Sequence, residues 1–425
     1  MSLTNPGYIS ALTSGYILMG ANMLIQFALT PYYLSYLGEH QFGVLMILLN
    51  LINFASLGIT WMSGGLVRVI GEYWSHDDHE GFRLAFAVGK YAFTIYAILV
   101  VTIGICLWFL LQRETEGSNV SSHHLLMAGL YLILSYEALP ERQAFVGTNR
   151  QETGNYIEVS RIMLFALITY ILLPIMKSMS AVWIALMVGV LMQRILMGVY
   201  WSRQVGNTGW MRYRSEMRPL LRRLAFQQGM GYVSYGILLL ILQADTAIVG
   251  FLGGAEEAGK FVLLWKIPEA IGLLLWKIPS TLEPRVINLD ARGNNNALKT
   301  LFIQGRRWYL LLVVFISAIY VVVGKRLAEL WVGDHALDQN WLYLVAGAAL
   351  FFNTFARWPI AFAHALVELK PLVRVAAIEV IGKLLLILIL YPLVGIAAPL
   401  VSIVLVHICY VFFAYQGIVK RRICN

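Results

Sequence analysis

Charge is scarce in this chain. Asp, Glu, Lys and Arg together make up 13% of its 425 residues, whereas soluble domains carry about 25%. A water-soluble fold of this size would have too little polar surface to cover itself. Cysteine is nearly absent, and Cys106, Cys409 and Cys424 lack the spacing of a disulfide framework or of a metal site. The opening residues MSLTNPGYISALTS lack the basic region and small-residue cleavage site of a secretory signal, so the first apolar stretch is expected to stay in the membrane. Long polar connections are missing too: the longest, 203–223, leaves no room for a soluble domain.

Hydrophobic residues fill the space, at 59% of the chain. At roughly 20 apolar residues per bilayer crossing, they suffice for about twelve spans. Apolar windows lie near 11–37, 42–67, 86–111, 124–147, 156–176 and 181–203, and again near 224–252, 260–282, 306–332, 341–366, 372–392 and 396–418. The expected class is an all-α polytopic membrane protein. Its expected domains are an N-terminal six-helix bundle (1–203), a basic cytoplasmic linker (204–223) and a C-terminal six-helix bundle (224–425).

The formal net charge of +9 is spread along the chain, which argues against a nucleic-acid partner. Most of the 32 Lys and Arg fall on connections after even-numbered spans and beside Lys420, Arg421 and Arg422. Basic residues accumulate on the cytoplasmic side, so both termini are expected to be cytoplasmic. The basic connection at the midpoint could attract anionic headgroups or serve only as a positive-inside linker.

The two halves repeat. Leu37-Gly38 with Gly43 recurs as Leu252-Gly253 with Gly259, Arg68-Val69-Ile70 as Arg285-Val286-Ile287, and Phe86 with Gly89-Lys90 as Phe302 with Gly305-Arg306. The order is kept at a nearly constant shift, which reads as a duplication. An even number of spans in each half makes the repeat parallel, a transporter architecture in which the site lies between halves.

Polar residues at membrane depth are costly and usually face a cavity or a partner. Asn353, Arg357, His364 and Glu368 fall within about 60° on the tenth span. Gln227, Gly231, Ser234 and Asp245 share a face of the seventh. Asn22, Gln26 and Thr30 line the first span, and Asn53, Ser56, Thr60 and Ser63 the second. Hydrogen bonding from helix to helix is the competing account of the milder stripes. On the eighth span, Leu-Leu-Trp-Lys-Ile-Pro occurs twice, setting Lys266 and Lys277 on one face about 16 Å apart. They could relay an anion between depths, or each could snorkel to its nearer interface. Asp245 and Lys266 are placed to neutralise each other. Glu158 with Arg161, and Glu379 with Lys383, have the i+3 and i+4 spacing of intrahelical pairs.

The runs ADTAIVGFLGGAEEAGKF (244–261) and TPYYLSYLGEHQFGVL (30–45), with Pro284 before the second cytoplasmic amphipathic stretch, resemble the polysaccharide-export branch of the multidrug/oligosaccharidyl-lipid/polysaccharide (MOP) exporter superfamily. Length and span number are most similar to bacterial O-antigen flippases of the Wzx type. That resemblance implies two six-helix bundles forming a V around a central cationic cavity, in the bacterial inner membrane. It implies a flippase that moves undecaprenyl-pyrophosphate-linked oligosaccharide from the cytoplasmic to the periplasmic leaflet by alternating access. It also implies coupling to a proton or sodium gradient without a cofactor, and a polysaccharide polymerase and chain-length regulator as partners beside membrane lipid.

On this reading Arg357, Lys266, Lys277, Arg194 and Arg68 are the expected pyrophosphate contacts, because Arg offers phosphate paired donors. Asn22, Gln26, Asn53, Thr60, Gln227, Ser234, Asn353 and His364 would line the cavity, and Asp245 would couple the ion. A multidrug exporter of the same fold is the alternative. A membrane glycosyltransferase or polymerase fits less well, since the outward connections are short and no paired-carboxylate loop, metal-spaced cysteine set or phosphate-cradling glycine loop is present.

Overall fold

The computed structural model describes residues 6–112, 122–206, 217–226, 244–366 and 369–424. Every regular element among them is helical: α1 (Pro6–Ala55), α2 (Leu57–Ser75), α3 (His79–Gln112), α4 (Ser122–Glu137), α5 (Leu139–Gly147), α6 (Gln151–Met176), α7 (Met179–Val205), α8 (Met217–Phe226), α9 (Asp245–Gly253), α10 (Ala255–Ala291), α11 (Asn295–Val332), α12 (Asn340–Ala365), α13 (Leu369–Val394), α14 (Ala398–Val406), a π-helical turn (His407–Val411) and α15 (Phe412–Cys424). Most of the expected seventh span, with Gln227, Gly231 and Ser234, lies outside the described residues, as does Glu368. The Thr60 side chain is likewise outside the description.

Seven helical stretches among the described residues are long and apolar enough to cross a membrane. Thr13–Asn53, Asn295–His335 and Pro371–Arg422 each exceed a single crossing, which takes about 20 residues. The chain breaks them with specific devices. In α1, Gly38 (φ 73°, ψ 169°) interrupts the helix between the first two spans. Gly254 (φ 87°, ψ 176°) does the same between α9 and α10. Both lie in a region of backbone space open essentially to glycine, and they stand at equivalent places in the repeat. Farther along, Pro174 in α6 is followed by Lys177 in the left-handed conformation, and Pro392 in α13 by Gly395 at φ 54°. The fourth span is split at Ala138 into α4 and α5, with Pro140 in the first turn of α5. A proline there removes a donor that has no helical partner anyway.

Large apolar side chains point outward all along these helices, among them Leu24 (72% exposed), Ile175, Val322, Leu330 (85%) and Leu393. Faces of this kind would drive aggregation in water; in a bilayer they are the solvent side. With the fold class read above, this makes the chain a multi-pass membrane protein.

The chain divides into two compact units, Met1–Gln41 with Leu51–Gly236, and Phe42–Asn50 with Ile237–Asn425. In the first unit Trp201 of α7 sits among Trp74, Phe82, Phe86 and Phe145, with ring centroids 4.9–6.2 Å away. In the second, α12 is the central helix, packed on α10, α11, α14 and α15. Every residue from Ala356 to Ala363 is buried, as expected of a helix enclosed on all sides. The repeat extends to close packing. A Cβ on Gly89 would press on Leu66 and Pro140, and one on Gly305 would strike the Trp358 ring. Phe86 and Phe302, one turn earlier in each motif, are both buried.

A Cβ at Gly38 or Gly254 would meet nothing within 4 Å, so substitution there strains only the backbone. Gly38→Ala and Gly254→Ala are each expected to cost about 1–3 kcal/mol, read as a lower melting temperature of the purified protein. Gly20→Ala, also in open space but within regular helix, is expected to leave that temperature unchanged or raise it.

Candidate functional site: buried charge in two repeated bundles

Acids at bilayer depth meet bases in both units. In the first unit, Lys90 Nζ of α3 lies 2.6 Å from Glu141 Oε1 of α5, with both side chains nearly inaccessible. Arg194 of α7 reaches Glu137 of α4 at 2.6 Å. Glu158 of α6 accepts two bonds from Arg161, at 2.7 and 3.1 Å, and a third from Gln193 Nε2 of α7. Arg142 stands 4.0 Å from the same carboxylate. The Glu141 main-chain carbonyl accepts from Trp201 Nε1 at 3.1 Å, tying this ionic layer to the aromatic core. The i+3 pair expected from the sequence is therefore formed, but as one part of a network across three helices.

The second unit is wired differently. Lys383 of α13 donates to both oxygens of Asp245 at the start of α9, at 2.8 Å each. The sequence expects Lys383 to pair with Glu379; the structure sets its ammonium on Asp245. The two groups are one turn apart on α13, yet the lysine stem carries its ammonium to another helix, where a buried carboxylate is available. The expected pairing of Asp245 with Lys266 is not made, for the same reason: Asp245 is committed to Lys383, and Lys266 lies 3.6 Å from Glu269 on its own helix. Glu379 is 3% exposed and faces His407 of the π-helical turn, Nε2 to Oε1 being 3.8 Å. Arg357 is 6% exposed; it donates to Asn353 at 3.1 Å and lies over the Trp276 ring at 4.6 Å, a favourable cation–π placement.

The expected phosphate-binding set thus splits. Arg68 of α2 and Lys277 of α10 are exposed, and Lys266 is half-buried. Arg194 is held by Glu137, and Arg357 belongs to the core of its own unit. Among the expected cavity-lining residues, Asn22 and Gln26 are exposed and bonded to each other at 3.1 Å. Asn53 is exposed, while Asn353 and His364 are half-buried. Asp245, expected to couple an ion, is the partner of a buried lysine. No group of three or more His, Cys, Asp or Glu that could hold a metal ion occurs among the described residues.

Sequence reasoning missed Lys90 with Glu141, Gln193 and His407. One signal was available: Ile157-Glu158-Val159 recurs as Ile378-Glu379-Val380. In each unit that glutamate of the penultimate span meets a polar side chain of the last span, Gln193 in one and His407 in the other.

No protein-family model matches the chain, and no curated protein matches it. Solved structures do. An inward-facing multidrug resistance MATE family transporter of the MOP superfamily is 13% identical, with a TM-score of 0.67 over 97% of this chain and 98% of that one. A mutant of the Vibrio cholerae MATE transporter VcmN is 12% identical, with a TM-score of 0.58 over 98% of each chain. A MOP superfamily transporter from Pyrococcus furiosus, described as having a binding pocket of reverse polarity that suggests a different function, is 12% identical, with a TM-score of 0.52 over 97% of this chain and 93% of that one. At such identities the likeness concerns the fold, and the fold of this chain is that of the MOP transporters.

Removing one partner of a buried pair strands a charge in a low-dielectric interior, at a cost of about 3–5 kcal/mol, whereas an apolar replacement of the whole pair is often tolerated. Asp245→Asn alone is expected to lower the melting temperature and yield of the purified protein. Adding Lys383→Met is expected to restore much of both. A double variant no more stable than the single would show that the pair does not act as a unit.

Proposed function

We propose that the chain is an exporter of anionic, lipid-linked glycans, a flippase for oligosaccharides carried on undecaprenyl pyrophosphate. The observation that supports this reading is the sorting of charge. The acids Glu137, Glu141, Glu158 and Asp245 are buried against bases of the same unit, while Lys277 on α10 and Arg68 on α2 keep exposed positions. These two accessible basic side chains suit a pyrophosphate. Sugars and phosphates cannot cross about 30 Å of hydrocarbon unaided, whereas a polyprenyl tail can stay in lipid. Lys277 is assigned to the pyrophosphate, with Lys266, Arg68 and Arg194 as further contacts. The reading places the protein in a bacterial inner membrane with both termini cytoplasmic, alongside the polymerase and chain-length regulator that consume the translocated unit, and makes an ion gradient the source of drive.

A second reading, a cation-coupled multidrug exporter, is favoured by the neighbours whose names describe multidrug resistance. Deleting the gene separates the two. Flippase loss is expected to leave lipid-linked repeat units on the cytoplasmic leaflet and to deplete surface glycan. Unchanged glycan with new sensitivity to toxic cations would favour drug export. In the complemented deletion, Lys277→Gln is expected to reduce surface glycan at unchanged protein level, and Lys277→Arg to restore it. Wild-type glycan from Lys277→Gln would remove that lysine from the site.

A further inference from the structure

The duplicated glutamate has diverged. Glu158 in the first unit is saturated: Arg161 occupies one oxygen twice and Gln193 the other. Its counterpart Glu379 is as buried, yet its Oε2 has no hydrogen-bond partner among the described residues. The His407 ring faces the other oxygen, Oε1, at 3.8 Å, beyond hydrogen-bond length. The orientation of that ring is fixed. His407 Nδ1 lies 2.9 Å from the Ile403 carbonyl, which can only accept, so Nδ1 carries hydrogen. Nε2 then turns a lone pair toward a carboxylate oxygen. Two acceptors face each other unless a proton sits on one of them.

We propose that Glu379 and His407 form a site for one exchangeable proton, and that this proton is the ion that drives export. With the proton bound to the carboxyl group, the gap can close to a hydrogen bond donated to Nε2; without it, the two atoms repel. The surroundings suit this task. Arg357 from α12 and Lys383 from α13 act electrostatically on the carboxylate, Tyr415 of α15 lies near it, and α14 contributes no ionisable side chain. Lys383 is occupied by Asp245, and Oε2 stays uncapped among the described residues. His407 also opens the π-helical turn His407–Val411. Such turns carry a misfitting residue within an α-helix and recur at functional sites, so a hydrogen bond made or lost there can alter the pitch of the last span. The assignment of the proton to transport rests on the export reading; the existence of the site does not.

Infrared difference spectroscopy of the full chain in lipid nanodiscs, titrated in sodium-free buffer, tests the site without any cargo. A carboxylic-acid carbonyl band is expected to appear reversibly on acidification, over the pH range in which the protein stays folded. The band is expected to vanish in Glu379→Gln, to persist in Glu158→Gln, and to shift its midpoint in His407→Gln. A wild-type spectrum with no titrating carboxylic band overturns the proposal even if every variant fails to fold. So does a band that survives Glu379→Gln, or one removed by sodium at constant pH. A band that behaves as expected beside a deletion strain with normal glycan would leave the proton site standing and overturn the cargo assignment alone.

Discussion

An ionised group at bilayer depth must be matched or given water, and the arrangement of this protein follows from that constraint. A carboxylate or ammonium taken into hydrocarbon loses several kcal/mol of hydration, far more than any one apolar contact returns. Each unit meets this by joining helices distant in sequence: α3 to α5 through Lys90 and Glu141, α4 to α7 through Arg194 and Glu137, α9 to α13 through Asp245 and Lys383. Lipid gives helices little hydrophobic reason to associate, so these links specify which helix lies beside which. The tryptophan of α7 that bonds the Glu141 carbonyl makes the aromatic core and the ionic layer a single structure.

Neutralising the acids internally has a functional consequence. Composition alone gives nearly balanced charge within the spans, and from balance no cargo follows. With Glu137, Glu141, Glu158 and Asp245 held in pairs, Arg68 on α2 and Lys277 on α10 are among the accessible charges, and on the proposed reading they meet an anionic cargo. The same logic gives the two copies of the duplicated glutamate separate tasks. One is locked by an arginine and an amide and holds its unit together. The other faces an imidazole and can change state.

Much of the fold was legible in the sequence. Apolar windows separated by basic connections marked the spans, and Gly38, Gly89 and Phe86 recurred at a constant shift because the same kink and the same close helix contacts are built twice. The site was less legible, for a physical reason. Helical arithmetic tells which side chains share a face, but not what covers that face. Arg357, expected at the pyrophosphate because it is charged and in mid-span, is buried, donates to Asn353 and lies over the Trp276 ring. Lys383 was paired with its neighbour one turn away, when its stem reaches a carboxylate 138 positions distant. His407 drew no attention because a single histidine in an apolar run acquires meaning only from the carboxylate beside it.

The central claim is that accessible basic side chains, Lys277 foremost, carry an anionic lipid-linked cargo. The most direct test is leaflet transfer by the purified full chain in proteoliposomes loaded with a polyprenyl-pyrophosphate oligosaccharide. The account predicts transfer to the opposite leaflet, accelerated by an inwardly directed proton gradient and slowed in Lys277→Gln. No transfer of this lipid by a preparation that expels a cationic dye under the same gradient would contradict it.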